Sequence, residues 1–309
     1  MRLIFLGTPE FAVPALDRLV AAGHEVALVV TQPDRPKGRK RELTPSPVKI
    51  AALRHGLRVY QPERIRHAEA VEKLRELAPE AMVVVGYGQI IPQSAIDIAP
   101  LGIVNAHASL LPELRGAAPV QWSIARGCRK TGVTTMRIDA GLDTGEMLLR
   151  WETCIGPDET APELSKRMAE AGADLLVRTL AGLGAGSIRP EPQDNARATW
   201  APVLKKEDGR IDWTRPAQQV HDLIRGFQPW PGAYTSFRGQ SLHLWRSRLV
   251  PRRWNLPPGA LVHEQGVFAI GGDGAALELL ELQLEGRKKM QAEIFANGHR
   301  LTSIDRLGE

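Results

Sequence analysis

A chain of 309 residues with 43% hydrophobic and 24% charged content carries enough apolar side chains for two packed cores, and its composition is that of a folded chain. No run of 18 or more apolar residues occurs, so no helical membrane span is expected, and the short apolar run from Met1 to Gly7, closed by Thr8 and Pro9, lacks the length of a secretory leader. A formal net charge of +5 and a pI of about 9.4 permit a polyanionic partner without requiring one.

The chain opens with alternating apolar runs and helix-period segments. Arg2 to Gly7 reads as a strand, about Pro9 to Ala22 as a helix and Glu25 to Val30 as a second strand. Helices are predicted near Pro47 to His55 and Ala68 to Leu77, and strands at Ala81 to Val85 and Gly102 to Asn105. This alternation predicts a doubly wound, mainly parallel α/β sheet with helices on both faces. Val133 to Ile138 and Met147 to Thr153 have β character and are joined by a turn-prone stretch, Asp139 to Gly145, expected at a sheet edge or end. A long helix is predicted from about Thr160 to Gly182, closed by Gly184, Gly186 and Pro190. The polar, proline-bearing text that follows places a linker at 188–207 between domains at 1–187 and 208–309. The second domain shows short strand-like runs at Ala233 to Phe237, Ser241 to Trp245, Gly259 to Val262, Val267 to Ile270 and Leu277 to Leu284. These predict a small, mostly β barrel. Two cysteines, Cys128 and Cys154, with no Cys/His group at ligand spacing, predict neither a disulfide framework nor a metal site, and a cytoplasmic location.

The most informative text is Val104-Asn105-Ala106-His107-Ala108-Ser109-Leu110-Leu111-Pro112, directly after a predicted strand. Open parallel sheets gather reactive groups where strands end. Asn105 and His107, two apart, share a face if the extended backbone continues. Asp143 sits in the glycine-bracketed loop Asp139-Ala140-Gly141-Leu142-Asp143-Thr144-Gly145, where a backbone can approach a ligand closely. His, Asn and Asp without a recognisable Ser or Cys nucleophile suggest direct attack by a bound amine on a carbonyl, with donors for the oxyanion and a group that takes the proton. Taken singly, each has an ordinary alternative: His107 as a hydrogen-bonded structural residue, Asp143 as a turn former, Asn105 as a cap at a strand end.

Several ordered blocks give a further reading. They are Phe5-Leu6-Gly7-Thr8-Pro9-Glu10-Phe11-Ala12, Thr44-Pro45-Ser46-Pro47-Val48-Lys49, His107 to Pro112 with Arg115-Gly116-Ala117-Ala118-Pro119, Gly141-Leu142-Asp143-Thr144-Gly145, and Phe227-Gln228-Pro229-Trp230-Pro231-Gly232-Ala233. Along nearly its whole length the chain resembles the folate-dependent formyltransferases. The resemblance implies a Rossmann-like catalytic domain followed by a smaller OB-like barrel. It makes Asn105, His107 and Asp143 the catalytic triplet and assigns Ser109, Leu110, Leu111 and Pro112 to the folate site. It implies 10-formyltetrahydrofolate as donor and methionyl initiator tRNA as acceptor. In that reading Asn105 and a protonated His107 donate to the oxyanion, and Asp143 holds the imidazolium. One departure is visible: the family pattern has a basic and then an aromatic residue after Pro112, where this chain has Glu113 and Leu114.

Two basic stretches are candidate RNA contacts. Arg35, Lys37, Arg39, Lys40 and Arg41 stand against Asp34 and Glu42, and the resemblance puts this loop, with Arg39, Lys40 and Arg41, at the tRNA acceptor end. Arg246, Arg248, Arg252 and Arg253 lie between Trp245 and Trp254, a pattern that can pair phosphates and stack on bases, although tryptophans in a small barrel also serve as core. Gly7-Thr8-Pro9 lacks the full dinucleotide fingerprint, and Gly86-Tyr87-Gly88-Gln89 is either a loop over a pterin ring or a simple turn. Two alternatives remain at this point: a formyltransferase that modifies an amino sugar nucleotide, and a non-catalytic RNA-binding protein on the same scaffold. A monomer is expected.

Overall fold

The computed structural model describes residues 1–37 and 42–309; the predicted contacts Arg39, Lys40 and Arg41 lie outside the described residues. Its first half runs β1 (Arg2–Gly7), α1 (Val13–Ala21), β2 (Glu25–Val30), β3 (Arg35–Lys37), β4 (Glu42–Thr44), α2 (Pro47–Arg54), β5 (Val59–Tyr60), α3 (Ala68–Arg75), β6 (Ala81–Val85), α4 (Gln93–Ile96), β7 (Ile103–His107), α5 (Pro119–Ala125), β8 (Lys130–Arg137), β9 (Met147–Cys154) and α6 (Ala161–Gly184). Seven strands form one sheet in the order β5-β2-β1-β6-β7-β8-β9. The pairs β1–β2, β1–β6, β2–β5 and β6–β7 are parallel, and β7–β8 is antiparallel. This is a Rossmann-like, parallel-dominated sheet.

Its central strands are continuous apolar runs because helices cover both faces. Leu3, Ile4 and Phe5 are fully buried, as are Ala81, Met82 and Val83. The predicted helix from Pro9 divides into a 3-10 turn at Glu10–Ala12 and then α1, whose Pro14 sits in the first turn, where its missing N–H costs nothing. Ser46 caps α2 by accepting from the Lys49 N–H at 3.0 Å. Helix α6 lies against β8: a Cβ at Gly172 would meet Val133 Cγ1 at 3.3 Å, and the hydroxyls of Thr135 and Thr179 are 2.8 Å apart.

The second half contributes α7 (Ala217–Gly226), β10 (Ala233–Phe237), β11 (Gln240–Arg253), β12 (Leu261–His263), β13 (Val267–Ile270), β14 (Ala275–Leu284), β15 (Met290–Gln291) and α8 (Ala292–His299). Its sheet follows the order β10-β11-β14-β13-β12, with β15 on β14, and every pair is antiparallel. The chain end closes it: Leu307 bridges Phe237 of β10 while Arg306 bridges Ala260, next to β12. Both free edges are thereby occupied, and the sheet becomes a barrel around Trp213, Ile224, Phe237, Leu242, Leu279 and Phe295.

Two compact units emerge, and they are not consecutive in sequence. Residues 1–116, 132–153 and 165–200 form one, and 117–131, 154–164 and 201–309 form the other. Helix α5 therefore belongs with the barrel. There Trp122 meets Phe227 edge-on, with ring centroids 5.1 Å apart, and Gly226 lets α7 approach α5 so closely that an added Cβ would lie 2.8 Å from the Ala125 nitrogen.

Candidate active site

Strand β7 carries Asn105 and His107 into the sheet at its C-terminal end. Their neighbours on β8 are Met136 and Thr134, so the pleat puts both side chains on one face. Both are largely buried, at 9% and 6% exposure. His107 Nε2 lies 2.9 Å from the main-chain carbonyl of Leu114. A carbonyl only accepts, so Nε2 holds a proton in every state of this ring. Nδ1 faces Asp143 Oδ2 at 3.7 Å.

Two strained backbone positions create this geometry. Leu114 has φ 58° and Asp143 φ 53°, left-handed values that cost an L-residue about 1 kcal/mol or more. The Leu114 turn aims its carbonyl at His107 and is anchored by its N–H on Thr199 Oγ1 at 2.9 Å. The Asp143 carboxylate accepts the Gly116 N–H at 2.9 Å. Asp139 stabilises the rest of the loop, accepting from the Gly141 N–H at 2.9 Å and the Thr144 hydroxyl at 2.7 Å. The departure at position 114 thus leaves intact the one contact that reaches the histidine, because that contact is made by the main chain.

The Ser109 to Pro112 segment is mostly interior. Ser109 is fully buried and donates to the Glu113 carbonyl at 2.6 Å, Thr134 donates to the Ser109 carbonyl at 2.7 Å, and Leu111 packs with Met136 and Met147. Of its four side chains, Leu110 is the partly exposed one. Beside it in the sheet, the loop after β6 carries Tyr87, whose phenol is pushed up to about 12 by burial and has no hydrogen-bond partner among the described residues. The Tyr87 carbonyl accepts from the Thr8 hydroxyl at 3.0 Å and the Gln32 amide at 3.3 Å.

In the second unit the four predicted RNA-contact arginines have partners within the fold. Arg246 pairs with Glu163 at 3.4 Å, Arg248 with Glu278 at 2.6 Å and Arg252 with Glu264 at 3.6 Å, and Arg253 donates to the Asp273 carbonyl at 2.8 Å. They lie on β11, which sequence periodicity ends at Trp245. Register shifts after Leu244, Arg246 and Val250 break the alternation there and hide the continuing strand. Trp245, Arg246 and Arg248 help line a cavity of about 240 Å³ with His221, Arg225 and Gln228. Burial holds the His221 imidazole below its ordinary value, and its ring nitrogens already face Ser247 Oγ at 2.9 Å and the Pro157 carbonyl at 3.0 Å. Trp254 packs on Phe268, and Trp245 stacks on His243 beneath Lys289.

A parallel-dominated sheet with Asn105 and His107 on one face of a strand end, and a carboxylate 3.7 Å from the histidine, has the architecture of an α/β enzyme with a candidate site where strands end. Residues 1–180 match the formyl transferase family and residues 203–300 match the formyl transferase C-terminal domain. The chain belongs to the formyl transferase family. It is 62% identical over 309 residues to the methionyl-tRNA formyltransferase of Solibacter usitatus, covering all of this chain and 99% of that protein. It is 56% identical to that of Koribacter versatilis, with the same coverage. Among solved structures it is similar to an N-formyltransferase from Helicobacter canadensis in complex with folinic acid and dTDP-3-aminofucose. The TM-score is 0.69 at 17% identity, over 90% of this chain and 98% of that one. The methionyl-tRNA formyltransferase of Clostridium thermocellum gives 0.56 at 16% identity, over 91% and 99%. At such identities the likeness is one of fold. No helix among the described residues is long and apolar enough to cross a membrane.

Proposed function

We propose that this enzyme transfers the formyl group of 10-formyltetrahydrofolate to the amino group of methionyl initiator tRNA. The acceptor rests on one observation, the 62% identity sustained over both units to a protein named for that reaction. The folate class of donor is supported by the family and by fold neighbours holding folinic acid or tetrahydrofolic acid.

The donor supplies an electrophilic formyl carbon, and the residues of the chain do the rest. Nε2–H of His107 is committed to Leu114, so in the protonated ring Nδ1–H is the donor available to the formyl oxygen. Asp143, at 3.7 Å, is near enough to stabilise the imidazolium and too far to consume that hydrogen bond. Asn105, on the same face of β7, supplies a second donor through its amide. The carboxylate of Asp143 takes the proton of the incoming amine through water as the new bond to the formyl carbon forms; the bond from that carbon to the folate nitrogen then breaks, the proton passes to that nitrogen and tetrahydrofolate leaves. Ser109 to Pro112 shapes the donor side of the site, mainly through its main chain and Leu110. Arg39, Lys40 and Arg41 contact the tRNA acceptor end, and Arg246, Arg248, Arg252 and Arg253 contribute a weaker surface. The enzyme acts as a monomer in the cytoplasm.

The test is a formylation assay with charged initiator tRNA beside an amino sugar nucleotide, repeated with Asp143→Asn. Formyl-methionyl-tRNA from the unaltered chain alone is the expected result. Formylation of the sugar nucleotide in preference to tRNA would overturn the acceptor, and undiminished turnover by the Asn variant would remove Asp143 from the mechanism.

A further inference from the structure

Gln193 lies in the proline-bearing stretch that sequence reading assigns to a linker, yet it belongs to the first compact unit. Every hydrogen-bonding direction of its amide is used on residues around the reactive groups. Nε2 donates to the carbonyl of Asp143 at 2.9 Å and to that of Gly145 at 2.8 Å. Oε1 accepts from Arg115 Nε at 3.0 Å and from Arg115 Nη2 at 2.8 Å. Arg115 is 3% exposed and donates also to Asn195 Oδ1 at 2.8 Å.

We propose that Gln193 is a positioning residue for formyl transfer, a single amide that holds the Asp143 loop where its carboxylate faces Nδ1 of His107. The inference rests on the assignment of His107 and Asp143 to the reaction.

The orientation of the amide is not free. A guanidinium only donates, so Oε1 must face Arg115 and the NH2 must face the loop. The left-handed turn at Asp143 brings the carbonyls of residues 143 and 145 to the same two-proton donor, which offsets the strain of that turn. The loop has no slack on its other side, since a Cβ at Gly145 would fall 1.9 Å from the Arg137 carbonyl oxygen. Arg115 in turn sits between Leu114, whose carbonyl holds His107, and Gly116, whose N–H holds Asp143. One side chain therefore ties the turn that orients the histidine to the loop that carries its carboxylate.

The decisive variant is Gln193→Glu. A glutamate of the same shape still accepts from Arg115, now as an ion pair, but has no protons for the two carbonyls and repels them. The melting midpoint should stay within a few degrees of wild type. The kcat should fall by about tenfold to a hundredfold, the penalty of an ångström-scale misplacement, with both KM values within about twofold. In an Asp143→Asn background, Gln193→Glu should cost little more, because it acts through the carboxylate already removed. Wild-type kcat in Gln193→Glu, or the same full loss in the Asp143→Asn background, overturns the proposal. Gln193→Ala goes through the same cycle, and if neither variant keeps its melting midpoint the residue is structural and the proposal fails. These outcomes are separate from failure of the functional reading, which shows as undiminished turnover when Asp143→Asn is the sole change.

Discussion

His107 has one nitrogen bound to a carbonyl and one facing a carboxylate, and its expected behaviour follows from that division of labour. On the proposed mechanism, replacing His107 or Asn105 by Ala removes a donor to the formyl oxygen and should lower kcat by roughly a hundredfold, about 3 kcal/mol in the barrier. Single-turnover formylation at saturating folate checks this, and near-normal rates in both variants would refute the assignment. Leu114 gives a sharper contrast. Its recorded contact with His107 is made by the carbonyl, which Leu114→Gly retains while tolerating φ 58°, so that variant should keep kcat within a few-fold. Leu114→Pro, locked near φ −65° and lacking the N–H that Thr199 accepts, should lose most activity. The same distinction sets what the sequence could reveal. That Asn105 and His107 share a face is legible from their spacing on an extended strand, whereas spacing leaves Asp143 an ordinary turn former and only the family resemblance sets it beside His107. The Leu114 carbonyl and the Gln193 amide are not legible, since a main-chain contact leaves no mark in residue type and a glutamine between prolines looks like linker.

Strands buried on both faces were the most legible elements, because β1 and β6 are unbroken apolar runs with few alternative structures. Periodicity carries β11 only as far as Trp245 and does not mark α5, α7 or α8 as helices; α5 and α8 have seven and eight residues, little length for a helical period to register. The barrel's closing contact was equally hidden, since it depends on a chain end meeting two edges distant in sequence. It is stabilised by Asp305, whose carboxylate is 6% exposed, takes Arg238 Nε and Nη2 at 2.7 and 2.8 Å, and accepts the Thr302 N–H at 2.8 Å. The guanidinium, followed by the Thr302 bonds, holds this carboxyl down at about 2. An unfolded aspartate titrates near about 3.9, so the stabilisation is present above about pH 4 and is lost as pH falls towards 2. Thermal melts between about pH 5 and pH 2 should show the wild-type midpoint dropping more steeply than that of Asp305→Asn, which should already be less stable at neutral pH by about 2 kcal/mol. Parallel curves for the two proteins would show that the Arg238 pair contributes nothing to closure.

Across the whole molecule, a net charge of +5 is too small to describe an RNA surface, and what matters is which cations are already paired. Arg246, Arg248 and Arg252 face carboxylates and Arg253 a carbonyl, so a phosphate arriving at any of them displaces an existing partner and gains little net energy. The stretch from Arg35 to Arg41 has a different balance. Asp34, one of its two neighbouring acids, is engaged by Lys49 Nζ at 2.6 Å and the Gln61 amide at 2.7 Å, and these bonds hold its carboxyl below the ordinary value. That acid therefore already has partners in Lys49 and Gln61. Each phosphate neutralised contributes about 0.7 to 0.9 to the slope of log affinity against log salt. Changing Arg39, Lys40 and Arg41 together to Gln should therefore flatten the slope for initiator tRNA by about 2 to 3. Changing Arg246, Arg248, Arg252 and Arg253 together should flatten it by about 1 or less, because removing the first three also frees carboxylates that repel the RNA. Filter binding across a potassium chloride series gives both slopes, and a larger change in the second set than in the first would move the principal RNA contact from the loop after β2 to the barrel.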